Sequence, residues 1–469
     1  MHKRNVDDAS KSKSNLNISF EDDSKKHILI IAYHVLPYTK LWGAAQRMHY
    51  LATHLVENNY KVSIIGADHG CKNYSGKTLN YETFGVKIKP KFLQKYQESF
   101  QRSNISEINR IDKKRKFNIS KKLRQLLKSL YLSIERFFFN DFAHNGFICF
   151  FWERQAKELV LSQISQNNTK TVIISGPYFG TFKLAKRIRK KHNDIKIILD
   201  YRDPWNLLKK RSSKLTFTKE KKYLNLADKI VMFSDMFKND MIKKFSIPKE
   251  DCITVYNGFD SDLWDQIQDD KANSQRNTSQ NRFVISYVSS NISFKDGTPR
   301  DPRNLIKAVS MLESPENISL NIVGCVDKPS KDEFYDCKFD LNLSPFVPHN
   351  EALKAMKESN VLVILSTENT TNKYTLTGKL FDCIRSGNFV LGIANSYNVN
   401  YCNMIEELKI GSVCLNEVSE IFSILNKVYI NWKQKNGITK FDIDKNKYSR
   451  RNQNINLISK IDESLHSEQ

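Results

Sequence analysis

Short apolar runs alternate with amphipathic stretches over most of this chain. In its first half, residues 28–32, 62–66, 171–175, 195–199, 229–233 and 253–256 are apolar runs bounded by polar turns, which predicts buried strands. Between the first two runs, Met48, Leu51, Ala52 and Leu55 recur at spacings of three and four and mark one face of a helix. Strand, helix and strand in that order make a βαβ unit, and hence a parallel sheet. A polar stretch at 266–282 reads as a linker. The alternation then starts afresh with strands at 283–288, 320–324, 361–365, 389–393 and 411–414, and with helices such as 304–312 and 350–359 between them. The expected fold class is therefore α/β, with two Rossmann-like parallel-sheet domains facing a central cleft. The expected boundaries are a disordered tail 1–26, a first domain 27–265 with a basic insertion 87–150, a linker 266–282 and a second domain 283–444. The last stretch, 445–469, carries helix-spaced Ile455, Leu457, Ile458, Ile461 and Leu465 and is expected to return to the first domain as a helix.

Composition sharpens this picture in three ways. The 469 residues suffice for two or three domains, and a 40% hydrophobic content is that of a globular protein. No run approaches 18 apolar residues and the N-terminus lacks an apolar signal core, so neither a membrane span nor a signal peptide is expected. Eight cysteines without any C-x-x-C suit reduced thiols in a cytosol rather than a disulfide or zinc framework. The net charge is +23, and residues 87–139 hold fifteen Lys/Arg against four Asp/Glu. Such a cluster seeks phosphate on lipid, nucleotide or nucleic acid, although general lysine enrichment supplies part of it. Within it, Leu123, Leu126, Leu127, Leu130, Ile134, Phe137 and Phe138 share one helical face, with Lys121, Lys122, Arg124 and Lys128 elsewhere. That face either lies in a membrane interface or packs on the domain.

The candidate chemistry sits at the predicted carboxyl ends of strands, where open parallel sheets bind ligands. Thr377-Gly378-Lys379 opens a short helix and offers backbone N–H groups, a positive helix end and an ammonium to one anion. Asp382, one turn on, can accept hydrogen bonds from ribose or sugar hydroxyls. An ordinary αβ unit with a chance Gly-Lys has the same local sequence. Lys295 and Arg300, after the second domain's first strand, either grip a diphosphate from the opposite side or form a solvated charge run. Glu368 follows the strand at 361–365. In the first half, Gly43 permits close approach to a helix start, and there is no G-x-G-x-x-G. Asp200-Tyr201-Arg202-Asp203-Pro204-Trp205 follows a buried run directly; its charges either act in the cleft or pair to shape the loop. Asn257-Gly258 is chiefly a turn signal.

Taken together, ILIIAYHVLPYTKLWGAAQRMHYLATHLVENNYKVSIIGA, the SGP at 175–177, DYRDPW, ADKIVMFSDMFKNDMIKKF, ITVYNGFD and TGKLFDCIRSGNFVLGIA resemble the family-4-type glycosyltransferases of the GT-B fold used in bacterial surface-polysaccharide assembly. The resemblance spans about residues 27–465 and is weakest over 87–150. It implies a glycosyltransferase of the hexosyltransferase type that moves a sugar from a nucleotide-sugar donor to a glycan acceptor, lipid-linked in capsule, exopolysaccharide or lipopolysaccharide synthesis. It implies retention of configuration, no bound cofactor, no metal and no nucleic acid, and a cytoplasmic protein peripheral to an anionic membrane face. Lys295 and Arg300 would hold the diphosphate, Gly378 and Lys379 would cap it, and Asp382 would bind ribose. Gly43 and Glu368 would complete the donor site, and Arg202 and Asp203 would be the catalytic pair. The family's first acidic residue falls where this chain has Tyr374, and its histidine after SGP falls among Tyr178, Phe179 and Gly180. The alternatives are a GT-B nucleotide-sugar epimerase or hydrolase and a basic nucleic-acid-binding protein.

Overall fold

The computed structural model describes residues 26–70, 79–88, 147–207, 214–269, 282–329, 334, 337–366, 373–435, 437 and 440–466. The 1–25 tail, the 121–139 helical stripe and Glu368 lie outside these residues.

The first half folds as β1 (His27–Ala32), α1 (Trp42–Glu57), β2 (Lys61–Asp68), β3 (Glu82–Lys87), α2 (Phe147–Gln166), β4 (Thr171–Ser175), α3 (Lys183–Lys191), β5 (Lys196–Tyr201), α4 (Lys214–Leu224), β6 (Lys229–Met232), α5 (Asp235–Phe245), β7 (Cys252–Thr254) and α6 (Ser261–Asp269). The second half comprises β8 (Phe283–Ile292), α7 (Arg303–Ser310), β9 (Ile318–Cys325), β10 (Asp340–Ser344), α8 (His349–Lys357), β11 (Val361–Ser366), α9 (Gly378–Ser386), β12 (Phe389–Ala394), α10 (Asn400–Glu407), β13 (Gly411–Leu415), α11 (Val418–Lys435) and α12 (Arg450–His466).

The strands form a seven-stranded sheet in the order β3-β2-β1-β4-β5-β6-β7 and a six-stranded sheet in the order β10-β9-β8-β11-β12-β13. Every pairing is parallel, as between Ile28 and Val62 or Val361 and Phe389. Side chains alternate across the first sheet: Leu29, Ile31, Val172 and Ile174 pack toward α2 to α5, while Ile28, Ile30 and Ile173 pack toward α1 and α12. Both faces are thus covered, which is why the strands read as continuous apolar runs. The α/β fold class expected from the alternation is the one observed.

Two features differ from the sequence expectation. The polar stretch expected from 266 begins inside α6, whose Trp264 and Ile267 are buried with Leu353 and Met356 of α8. Strands β3 and β10 were not foreseen; both are sheet edges with half-exposed, partly polar residues.

At its end the chain crosses back. Phe259 exchanges backbone bonds with Tyr448 and Arg450 at 3.1 and 2.8 Å, and Gly258 (φ +65°) leaves no room for a side chain there, since a Cβ would lie 2.6 Å from the Arg450 nitrogen. Beyond that crossing, Leu457, Ile458 and Ile461 of α12 join the apolar layer over α1.

Candidate functional site

The strand order reverses between β1 and β4 in the first sheet and between β8 and β11 in the second, which opens a crevice at each carboxyl edge. The two edges meet. Tyr374, just before α9, is only 3% exposed; it joins the first domain's core against Phe237 at 5.4 Å, and its hydroxyl donates to Asp240 of α5 at 2.7 Å. Lys373 Nζ binds the same carboxylate at 2.5 Å. Burial alone raises Asp240, but these two donors outweigh it and hold the carboxyl below its ordinary value. Tyr256, after β7, meets Phe381 of α9 at 5.8 Å between ring centres.

On the second domain's edge, α9 begins at Gly378 with Thr377 as its cap, the threonine hydroxyl accepting from the Lys379 N–H at 3.3 Å. The Lys379 ammonium reaches Ser289 Oγ, after the regular part of β8, at 3.3 Å. Arg300 donates to the Ser290 carbonyl at 2.6 Å. Lys379 and Arg300 are close enough to repel: burial first, then the Arg300 charge, pushes the Lys379 pKa down to about 8, with Asp382 opposing. A Cβ on Gly378 would meet nothing within 4 Å, so the helix end opens onto free space. Two cations and a helix N-terminus therefore converge on a space suited to an anion. Lys295 is exposed on the neighbouring loop, where its backbone N–H bonds Ser293 Oγ. Asp382 is buried; one oxygen accepts from Trp264 Nε1 at 3.1 Å, and His349 Nε2 lies 3.9 Å from the other.

On the first domain's edge, the charged segment at the end of β5 and just after it is largely an internal brace. Asp200 is 2% exposed and accepts from Arg47 Nη2 at 2.9 Å and Ser175 Oγ at 2.7 Å. Arg47 also donates to the Val255 carbonyl and Asn257 Oδ1, at 3.0 and 3.1 Å, so it ties α1 to the ends of β5 and β7. Arg202 donates to the Gly176 carbonyl at 2.5 Å and to the Ala44 carbonyl. These bonds fix the start of α1 against the turn after β4, and they make Arg202 a positioning group at the site. Burial lowers Arg202 below the ordinary guanidinium value, with Asp200 and Asp203 acting the other way. Asp203 is half-buried beside it, and Trp205 is anchored by stacking on Phe179 at 5.0 Å. Gly43 is exposed in the first turn of α1, and a Cβ there would also meet nothing within 4 Å.

Sequence reasoning passed over an aromatic cluster behind this edge. Tyr33 stacks on Tyr178 at 4.4 Å, and His34 stacks on His69 at 4.7 Å. Tyr178, in the segment where the resemblance led to the expectation of a histidine, adopts φ +71°, an unusual value for a non-glycine residue. His34 is 2% exposed, with Nδ1 3.4 Å from Thr39 Oγ1. Burial, then His69 and Arg202, holds it well below the ordinary imidazole value, so it is neutral. Its position straight after an apolar strand was the available signal.

No family model and no curated protein matches this sequence. Solved structures match over nearly its whole length. Anabaena HepE in complex with UDP is 12% identical, covers 93% of this chain and 100% of its own, and has a TM-score of 0.55. A putative UDP-N-acetylglucosamine 2-epimerase from Listeria monocytogenes is 10% identical, covers 95% and 98%, and has a TM-score of 0.52. The N-terminal domain of Candida albicans trehalose-6-phosphate phosphatase is 13% identical, covers 93% and 96%, and also has a TM-score of 0.52. The chain has the GT-B fold, with two parallel-sheet α/β domains about a cleft.

Proposed function

We propose that the protein is a glycosyltransferase of the family-4 type that takes its sugar from a nucleoside-diphosphate sugar. The observation that carries this reading is the Lys379–Arg300 pair at the open N-terminus of α9, two like charges beside a positive helix end. A diphosphate neutralises both cations at once. The donor complex of HepE, crystallised with UDP-glucose on the same fold, supports that class of ligand. Gly378 caps the diphosphate, Asp382 faces the ribose and Lys295 screens the anion from the adjacent loop, while the contact with the sugar hydroxyls is assigned to Glu368 from the sequence alone. Across the cleft, Gly43 leaves room for the substrate, Arg202 holds the α1 turn, and Asp203 orients the acceptor.

The further elements of the reading rest on the resemblance: retention of configuration, metal independence, a lipid-linked surface-polysaccharide acceptor, and a cytoplasmic site on the inner membrane face. Calorimetric titration with a panel of nucleoside diphosphates tests the core claim. Lys379→Ala should weaken the best ligand at least tenfold, or about 1.4 kcal/mol. Equal affinity of the two proteins would remove the site. The likeness to an epimerase supports one second reading, nucleotide-sugar epimerisation or hydrolysis. Turnover of the sugar nucleotide without any acceptor, rather than acceptor-dependent product, would select it.

A further inference from the structure

Asp382 stands one turn into α9, three residues after Lys379 on the same helical flank, and its charge acts on the Lys379 ammonium. Its carboxylate is committed inward. The side chain is 12% exposed, Oδ1 accepts from the indole N–H of Trp264, and Oδ2 lies 3.9 Å from His349 Nε2. Trp264 belongs to α6, is 1% exposed, and shares an apolar layer with Leu353 and Met356 of α8 and with Leu380 and Phe381 of α9. Three helices thus hold the carboxylate from behind. The group that reaches solvent at this point is the imidazole of His349, whose side chain is 59% exposed.

His349 is the first residue of α8, and Pro348 before it, at φ −55° and ψ 149°, fixes the backbone that brings it there. The packing of α8 on α9 then sets its distance from Asp382. At 3.9 Å the contact is too long for a hydrogen bond, yet the carboxylate charge still favours the tautomer with its N–H at Nε2. That leaves Nδ1 as the acceptor. Lys379, Arg300 and the N-terminus of α9 offer only donors, which suits a phosphate. An exposed acceptor one turn further along suits a hydroxyl. Phosphate and then hydroxyl is the order of groups in a nucleoside diphosphate, whose ribose follows its diphosphate.

We propose that His349 meets the ribose hydroxyls of the nucleotide, and that Asp382 is a positioning group behind it, acting on the ribose through the imidazole. The inference rests on the nucleotide-sugar reading above. It adds which side chain makes the contact and which way the nucleotide lies, with its diphosphate at Lys379 and its nucleoside toward α8.

Calorimetry on the full chain tests it. The ligands are the tightest-bound of uridine, cytidine, guanosine and adenosine diphosphate, and inorganic pyrophosphate, which lacks the ribose. His349→Ala weakens the nucleotide about tenfold, the scale of one lost hydrogen bond, and leaves pyrophosphate as in the wild type. His349→Gln, which keeps an acceptor, restores part of the affinity. Lys379→Ala weakens both ligands. Asp382→Asn, which keeps the acceptor for Trp264, weakens the nucleotide in the wild-type background and has no further effect once His349 is Ala. Unchanged nucleotide affinity in His349→Ala, with Lys379→Ala still weakened, overturns this inference alone. So does an equal loss for both ligands in His349→Ala, which would make the imidazole part of the diphosphate grip or of the fold. An undiminished Asp382→Asn effect without His349 also overturns it, since the carboxylate would then touch the ribose directly. A wild type that binds neither ligand removes the donor site itself, and this inference with it.

Discussion

At the scale of single residues, Lys379 shows how a site can be poised for an anion before one arrives. Its ammonium lies among burial and a second cation, so the charged form is disfavoured and the pKa falls to about 8. An incoming diphosphate stabilises the charged form. Nucleotide affinity should therefore be highest below pH 8 and fall about tenfold as the pH rises through it, the amount assigned to this one charge. Calorimetry between pH 7 and 9.5 reads this, with Lys379→Ala as the flat control; a wild type equally flat would place the ammonium outside the anion's reach. For folding, the same depressed pKa gives the opposite sign. The unfolded chain binds the proton up to the ordinary lysine value, so this residue makes stability rise with pH between about 8 and 10.5.

At the scale of elements, the end of β5 and the loop after it divide their charges between two tasks. Asp200 is locked by Arg47 and Ser175, so Asp200→Asn leaves a largely buried guanidinium without its counter-charge and should cost about 3–5 kcal/mol of stability. Asp203 is only half-buried and should behave differently. On the proposed acceptor-side role, Asp203→Asn is expected to keep the wild-type melting temperature and nucleotide affinity and to lower kcat. Thermal melting alongside steady-state kinetics separates the two roles, and a matching loss of stability in both variants would make Asp203 another structural brace. From sequence these carboxylates looked alike. Burial inside the strand, at its penultimate residue, is what distinguishes the first from the second.

At the scale of the whole molecule, a few side chains set how the two sheets face each other. Tyr374 stands where the resemblance led one to expect an acid, yet its ring is buried in the other domain and its hydroxyl shares Asp240 with Lys373. Interfaces between domains of one chain ordinarily permit relative motion, so this contact is a latch on the cleft. Asp240→Asn weakens the Lys373 ion pair and should let the unliganded protein open, seen in solution scattering as an increased radius of gyration. A curve that superimposes on the wild type would show that the crossing at Phe259 and Ser449, with α12, sets the geometry alone.

The linear pattern determined both parallel sheets. A strand covered on both faces must be apolar throughout, and that leaves a contiguous signal in about five residues of sequence. The same logic explains why β3 and β10 escaped notice, since an edge strand is relieved of that demand on one side. The Gly378–Lys379 turn was legible too, because a helix start and its cap are local. Tertiary structure alone decided the rest. It brought Arg300 beside Lys379, turned Arg202 onto the Gly176 and Ala44 carbonyls, buried Tyr374 in the opposite domain, and set His349 against Asp382. Each of these depends on which strands become neighbours and where their order reverses. That is fixed by the packing of apolar faces between distant segments, and no local spacing of residues records it.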